Sequence, residues 1–299
     1  MELQDRVEEL QSAGIGVAAI SYDSKETLAT FAERRNITFP LLSDDDSSTI
    51  KEYGILNTVV AEGLGPNGND PEVVADVHRY VAAAVFDSPR LRRMINGTPF
   101  PGTFMIDKDS RVKSRFFEEF YRDRVTTSNV MLKSGIGLSP IAAVEGNTAQ
   151  LKFTAYPSDT VITNGSRFSL AVDIEPNSKM HVYAPGAEEK GYRVVELNMA
   201  PSDYFRFEAV EFPESEIYYF EPLDEYVPVF QKPFTILQEA IVEASAEIEK
   251  ELENIDVLTL SGTLDYQACD DAICYLPVSV PVSFTLEFQT LDYQRSISR

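Results

Sequence analysis

The stretch Leu264-Asp265-Tyr266-Gln267-Ala268-Cys269-Asp270-Asp271-Ala272-Ile273-Cys274-Tyr275-Leu276-Pro277-Val278 holds both cysteines of the chain and decides how its second half is read. A strand delivers Cys269, the four residues Asp270 to Ile273 turn, and Cys274 opens the next strand. Hairpin geometry of this kind can bring two Cβ atoms within the ~3.5–4.5 Å that a disulfide demands. A lone pair of cysteines is too few for a disulfide scaffold and lacks the histidine partners of a zinc site. The pair is therefore a candidate redox couple or a plain staple. Closing so short a loop constrains the unfolded chain by about 2 kcal/mol on the entropy model, and spacing alone favours the staple.

Outward from this hairpin, short stretches with alternating apolar residues recur from 149 onwards: 151–155, 167–174, 181–183, 192–197, 205–212, 234–242, 257–264 and 278–288. Gly, Pro, Asn and Asp separate them. That spacing predicts an all-β antiparallel sandwich. The segment 244–253 is either a short helix or a long acidic turn.

Before 138 the grammar differs. Leu3, Val7 and Leu10 share a helical face, Gly16-Val17-Ala18-Ala19-Ile20-Ser21 reads as a strand, and Ser24 and Thr27 open a helix ending near Asn36. Phe39-Pro40-Leu41-Leu42 is extended, and 47–53 is helical. Helix and strand in alternation predict an α/β layer with parallel pairing. Residues 57–97 read as an insertion: a Gly/Asn/Pro loop, then helices over 72–85 and 89–95. Strands at 103–107 and 112–117 form a pair across Lys108-Asp109-Ser110, and a helix covers 126–133. The domains are then 1–138 and 148–299, with Gly135 to Pro140 marking the linker.

The 299 residues carry a formal charge of −22, which excludes nucleic acid as a partner and disfavours anionic membrane surfaces. No apolar run is long enough to span a bilayer, and Met1-Glu2-Leu3-Gln4-Asp5 is no signal peptide. Nothing calls for a cofactor or a metal. His181 stands alone and reads as a satisfied strand histidine. Asp44, Asp45 and Asp46 read as a solvated turn and helix cap, and Gly63 to Gly68 lacks the Lys-Ser/Thr of a phosphate loop.

Three stretches of the first half resemble the peroxiredoxin and thioredoxin-like (AhpC/TSA-type redoxin) superfamily: Val17 to Ser24, Phe39 to Asp44, and Pro101-Gly102-Thr103-Phe104-Met105-Ile106-Asp107-Lys108-Asp109. The resemblance implies a thioredoxin-like α/β domain in which Pro101 follows a cis peptide bond and faces a catalytic cysteine. That cysteine and the first strand of the fold are missing here, and no cysteine occurs before Cys269. The redoxin half is therefore expected to be inactive in this chain. Met1 is read as an internal or mis-assigned start, and antioxidant peroxidase activity would belong to a longer parent chain.

The Tyr-Gln-x-Cys and Cys-Tyr-x-Pro flanks, with Met180-His181-Val182-Tyr183-Ala184-Pro185-Gly186, resemble the N-terminal domain of the bacterial thiol:disulfide interchange protein DsbD. The resemblance reverses the preference for a staple. It implies an immunoglobulin-like sandwich whose disulfide, Cys269–Cys274 here, is exchanged with thioredoxin-like or other dithiol proteins. The loop is one residue shorter than the family's usual form, so strain and redox potential do not carry over. Around the sulfurs, Asp270 and Asp271 disfavour a thiolate, and Tyr275 belongs to the motif. Asp265 and Tyr266 are either acid–base helpers or plain strand residues. The family's aromatic cap loop corresponds to Tyr218 to Asp224, with Tyr219 and Phe220 either shielding the disulfide or packing on the core. A functional disulfide favours a periplasmic or other extracytoplasmic location. The alternative is a non-catalytic protein-binding module with a structural disulfide.

Overall fold

The computed structural model describes residues 2–80, 97–118, 123–136 and 140–290. The expected helix over 89–95 and the end of the one over 72–85 lie outside them. The chain divides into two compact units, Met1–Ile136 and Gly137–Arg299.

In the first unit α1 (Glu2–Asp5) and α2 (Val7–Ser12) precede β1 (Ala19–Ser21), α3 (Lys25–Arg35), β2 (Leu41–Ser43) and α4 (Ser48–Glu52). The Ser24 side chain accepts from the Thr27 N–H to start α3, and Asn36 closes it in the left-handed region at φ 51°. β1 and β2 pair in parallel. Asp44 is buried rather than solvated: its carboxylate accepts from the backbone N–H of Thr49 (3.0 Å) and Ile50 (2.8 Å), capping α4.

Helix α5 (Thr58–Leu64), capped by Asn57, occupies the start of the expected glycine-rich loop, and α6 (Pro71–Tyr80) follows. Asn57 supplies an acceptor to the Val60 N–H, which outweighs the presence of Gly63 inside the helix. β3 (Gly102–Ile106) pairs antiparallel with β4 (Val112–Phe117); β5 (Arg124–Val125) and α7 (Thr127–Lys133) complete the unit. Among the described residues the β1–β2 and β3–β4 pairs do not join into one sheet.

The expected cis bond before Pro101 is absent: no described peptide bond is cis. Phe100 donates its N–H to Ile55 (2.7 Å) and Pro101 accepts from Glu118 (3.0 Å). The bond keeps its ordinary trans preference.

The second unit is strand-rich. Its strands are β6 (Val144–Asn147), β7 (Leu151–Pro157), β8 (Val161–Ile162), β9 (Ser166–Pro176), β10 (His181–Tyr183), β11 (Glu196–Met199), β12 (Phe205–Glu211), β13 (Glu216–Phe220), β14 (Glu225–Phe230), β15 (Phe234–Val242), β16 (Val257–Tyr266), β17 (Ala268–Cys269) and β18 (Val278–Phe288). One sheet runs β12-β15-β9-β7-β6, a second β11-β16-β18-β8, and a third, smaller one β13-β14-β10-β17. The acidic segment after β15 is a helix, α8 (Ala246–Leu252), capped by Ser245. β6 lies ahead of the expected boundary at 148 and pairs with β7.

The inner residues of the two larger sheets form one core, including Leu151, Phe168, Val172 and Ile236 from the first and Leu260, Leu264, Tyr266 and Phe284 from the second. At Gly262 an added Cβ would sit 2.5 Å from the Asn198 carbonyl oxygen, so only glycine lets β11 lie against β16 there. Among the described residues no helix is long and apolar enough to cross a membrane.

The third sheet positions the cysteines. Strand side chains alternate between faces. The paired residues Val182 and Ala268, with Phe230, belong to the main core. The neighbouring pair His181 and Cys269 therefore points the other way. There Cys269 joins a second cluster with Tyr183, Ala187, Val194, Val227 and Val229.

Candidate functional site

Cys269 and Cys274 are joined in a disulfide with their Cα atoms 4.1 Å apart. The two sulfurs live in different surroundings. Cys269 has no exposed surface, whereas Cys274 is exposed. The loop between them is held by one carboxylate: Asp270 accepts from the N–H groups of Ala272 (2.8 Å) and Ile273 (2.7 Å) and from the Tyr275 hydroxyl (2.9 Å). Hydrogen bonds from those two amides, and then from Tyr275, hold the Asp270 carboxyl below its usual range. The same contact pushes the Tyr275 hydroxyl up. Beyond the loop, Gln267 donates to the Tyr275 carbonyl (3.0 Å) and the Tyr275 N–H donates to Ala268 (2.9 Å).

The sequence did not mark the residue that touches both sulfurs. The Tyr183 hydroxyl lies 2.8 Å from Cys269 Sγ and 3.3 Å from Cys274 Sγ. Burial, followed by its contact with Tyr192, pushes that hydroxyl far above the ordinary phenol range, so it stays protonated and able to donate. The Tyr192 ring stacks on Tyr183 at 4.1 Å with the planes 16° apart, and its hydroxyl donates to Glu225. Burial, with the Glu225 hydrogen bond next, pushes Tyr192 up to about 12. Tyr192 reaches this place because the turn Ala187–Lys190 is bounded by two left-handed glycines, Gly186 at φ 98° and Gly191 at φ 86°.

His181, on the same face of β10, packs edge-on against Tyr183 and lies 4.5 Å from the Tyr218 ring. Burial lowers its pKa, against the opposing pull of Asp271 and Asp270. Tyr218 in turn donates to Asp271 (3.0 Å), linking β13 to the cysteine loop.

The remaining expected site residues are engaged elsewhere. Tyr266 points into the main core and donates to Thr148 (2.8 Å). Asp265 accepts from Asn198 (2.7 Å) and Thr263 (3.0 Å); burial pushes its carboxyl up, but hydrogen bonds from Ser279, Asn198 and Thr263 bring it below the usual range. The segment expected as a cap loop is a hairpin: β13 and β14 pair throughout, with a tight turn at Glu221–Leu223. Tyr219 is exposed, packs tilted against Tyr226 and donates to Asp224 (2.9 Å), while Phe220 is buried. Of that segment, it is Tyr218 that reaches the cysteine loop.

Residues 1–115 match the model of the AhpC/TSA family. Peroxiredoxin Bcp of Escherichia coli (strain K12) is 42% identical over 53 residues, which is 18% of this chain and 34% of Bcp. The chain thus spans about a third of the length of the curated relatives it matches. Among solved structures, the N-terminal domain of Neisseria meningitidis DsbD in its reduced form is similar with a TM-score of 0.27 and 15% identity, over 40% of this chain and 82% of that one. The N-terminal periplasmic domain of ScsB from Proteus mirabilis is similar with a TM-score of 0.33 and 12% identity, over 48% and 49% of the two chains.

Proposed function

We propose that the second unit exchanges its Cys269–Cys274 disulfide with dithiol and disulfide proteins. The observation that carries this reading is the asymmetry of the pair: Cys274 is an exposed residue, and Cys269 is fully buried with its sulfur backed by a phenol. A partner's thiolate attacks Cys274 Sγ, the Cys269–Cys274 bond breaks, and the electron pair leaves on Cys269. The Tyr183 hydroxyl donates a hydrogen bond to that leaving sulfur. A thiolate attack on the exposed sulfur with stabilisation of the departing one is what rapid exchange requires.

The alternative, a structural staple in a binding module, is less well supported. A staple has no need of a phenol in contact with both sulfurs, which Tyr183 supplies. The reading includes an immunoglobulin-like arrangement of the two large sheets and a location outside the cytoplasm, where a working disulfide persists. Both cysteines lie in the second unit, so the redoxin-like unit contributes no thiol chemistry in this chain.

Equilibration with dithiothreitol and with a thioredoxin-type dithiol protein tests the proposal. A midpoint potential within reach of such donors, near about −180 to −270 mV, is expected. A value below about −300 mV, or a bond inert to the protein donor, would return the disulfide to a staple.

A further inference from the structure

Around Cys274 the chain leaves apolar side chains in the open. Ala272, Ile273, Leu276 and Pro277 are all exposed, and 272–277 carries no charge in a chain whose formal charge is −22. Ile273 is 57% exposed and Leu276 86%, the largest fraction for any large apolar side chain among the described residues. A single exposed leucine is ordinary. Two further features set this pair apart. The backbone that carries it is held: the Ile273 N–H donates to the Asp270 carboxylate (2.7 Å), and the Ile273 carbonyl accepts from the Asp270 N–H (3.0 Å). On the other side of Cys274, the Tyr275 N–H donates to Ala268 (2.9 Å) and its carbonyl accepts from Gln267 (3.0 Å). A surface fixed in advance loses little freedom on binding. The second feature is position. A mixed disulfide brings the partner's Cα within about 4.4–6.8 Å of the Cys274 Cα. Ile273 and Leu276 are one and two residues away, so a protein bonded to Cys274 covers both, whereas a small thiol does not.

We propose that Ile273 and Leu276 form the docking surface by which the disulfide selects its partner, a dithiol protein whose reactive cysteine is bordered by apolar side chains. The proposal rests on the exchange reading and deepens it by naming the partner's surface. Asp270 and Asp271 lie immediately before Ala272, so the part of the partner that meets them is neutral or basic. A second copy of this chain is the poorer occupant, because it would bring the same carboxylates and the same −22 charge against their counterparts. Once docked, the partner's thiolate attacks Cys274 Sγ, the Cys269–Cys274 bond breaks, and its electron pair leaves on Cys269. The partner's second thiolate then attacks the partner sulfur of the mixed disulfide and frees Cys274. Two electrons have passed: the partner's dithiol ends as a disulfide, and the Cys269–Cys274 pair ends as a dithiol. Ile273 and Leu276 touch no reacting atom in this sequence. They raise the rate with a protein donor by holding it over Cys274.

The test follows reduction of the oxidised full chain by two donors, a reduced thioredoxin-type dithiol protein and dithiothreitol. Samples are quenched in acid, alkylated with a maleimide and resolved by mass. The double variant Ile273→Ser/Leu276→Gln is expected to lose at least about tenfold in second-order rate with the protein donor, the low end for burying one such side chain. Its rate with dithiothreitol should be unchanged. Ile273→Val/Leu276→Met, which keeps the surface apolar, should hold the wild-type rate with both donors. A protein-donor rate unchanged in the polar variant overturns the docking surface and leaves the exchange reading standing. An equal fall with both donors does the same, since the substitutions would then act on the disulfide itself. A wild-type dimer in sedimentation that the polar variant dissolves would give the surface to a second copy, and also overturns the proposal. A wild-type disulfide that the protein donor does not reduce overturns the exchange reading, and the docking surface with it.

Discussion

At the fully buried sulfur of Cys269 the deciding neighbour is the Tyr183 hydroxyl, 2.8 Å away. A hydrogen bond to a charged group contributes about 1.5–3 kcal/mol, so Tyr183→Phe should slow reduction of the disulfide by a small dithiol roughly 10- to 150-fold. Stopped-flow reduction checks this; an unchanged rate would remove Tyr183 from the chemistry. His181 gives a second, independent expectation. Its folded-state pKa lies below the unfolded value near 6.5, because burial outweighs Asp271 and Asp270. The stability that comes from keeping the ring neutral is therefore complete above about pH 6.5 and is lost as pH falls below it. An NMR titration, assigned with His181→Gln, should place the midpoint below about 6.5; a midpoint at or above that value contradicts the burial argument. The cysteine pair was legible in the sequence because its spacing and flanks are local. Tyr183 was not, because only the register of β10 against β17 brings it to the sulfurs.

The strands show the same division between local pattern and distant pairing. β16 and β18 alternate in the sequence as they do in the sheet, and Phe284 on β18 is fully buried between the large sheets. Phe284→Ala should cost about 3–5 kcal/mol, read as a lower denaturant midpoint for the second unit; a change under about 1 kcal/mol would mean the core is looser than its burial implies. The end of β13 reads instead as part of a loop over 218–224, and β14 carries no strand reading in the sequence. Glu221-Pro222-Leu223-Asp224 carries turn signals, and nothing local says that the flanking aromatics pair with each other. α5 was hidden for the opposite reason: Gly63 and Gly65 suggested a loop, while the Asn57 cap that starts the helix is a single side chain. The cis bond expected before Pro101 came from resemblance alone, and the bond is trans.

For the molecule as a whole, the change from mixed helices and strands to mostly strands was visible as a change in hydrophobic period, and the chain divides into its two compact units near that point. The sheet order inside the second unit was not visible, since alternation fixes faces but not neighbours. The formal charge of −22 adds a long-range expectation. A cationic thiol such as cysteamine should reduce the disulfide faster than an anionic one such as mercaptoethanesulfonate. The ratio should shrink as the screening length falls from about 10 Å at 0.1 M salt to about 3 Å at 1 M. A ratio insensitive to salt would confine the acidity to solubility.

The unequal burial of the two sulfurs also gives the pair a direction that can be used as a handle. Within this protein a visitor bonded to Cys274 is released by Cys269, so Cys269→Ser should leave a visitor that lacks a second thiol covalently stranded, and Cys274→Ser should catch nothing. Non-reducing gels of the two variants, mixed with a single-cysteine thioredoxin-type protein activated as its thionitrobenzoate mixed disulfide, would turn that one-sidedness into an isolated adduct with thionitrobenzoate as the leaving group. Adducts on both variants, or on neither, would mean that the two sulfurs do not differ in reach.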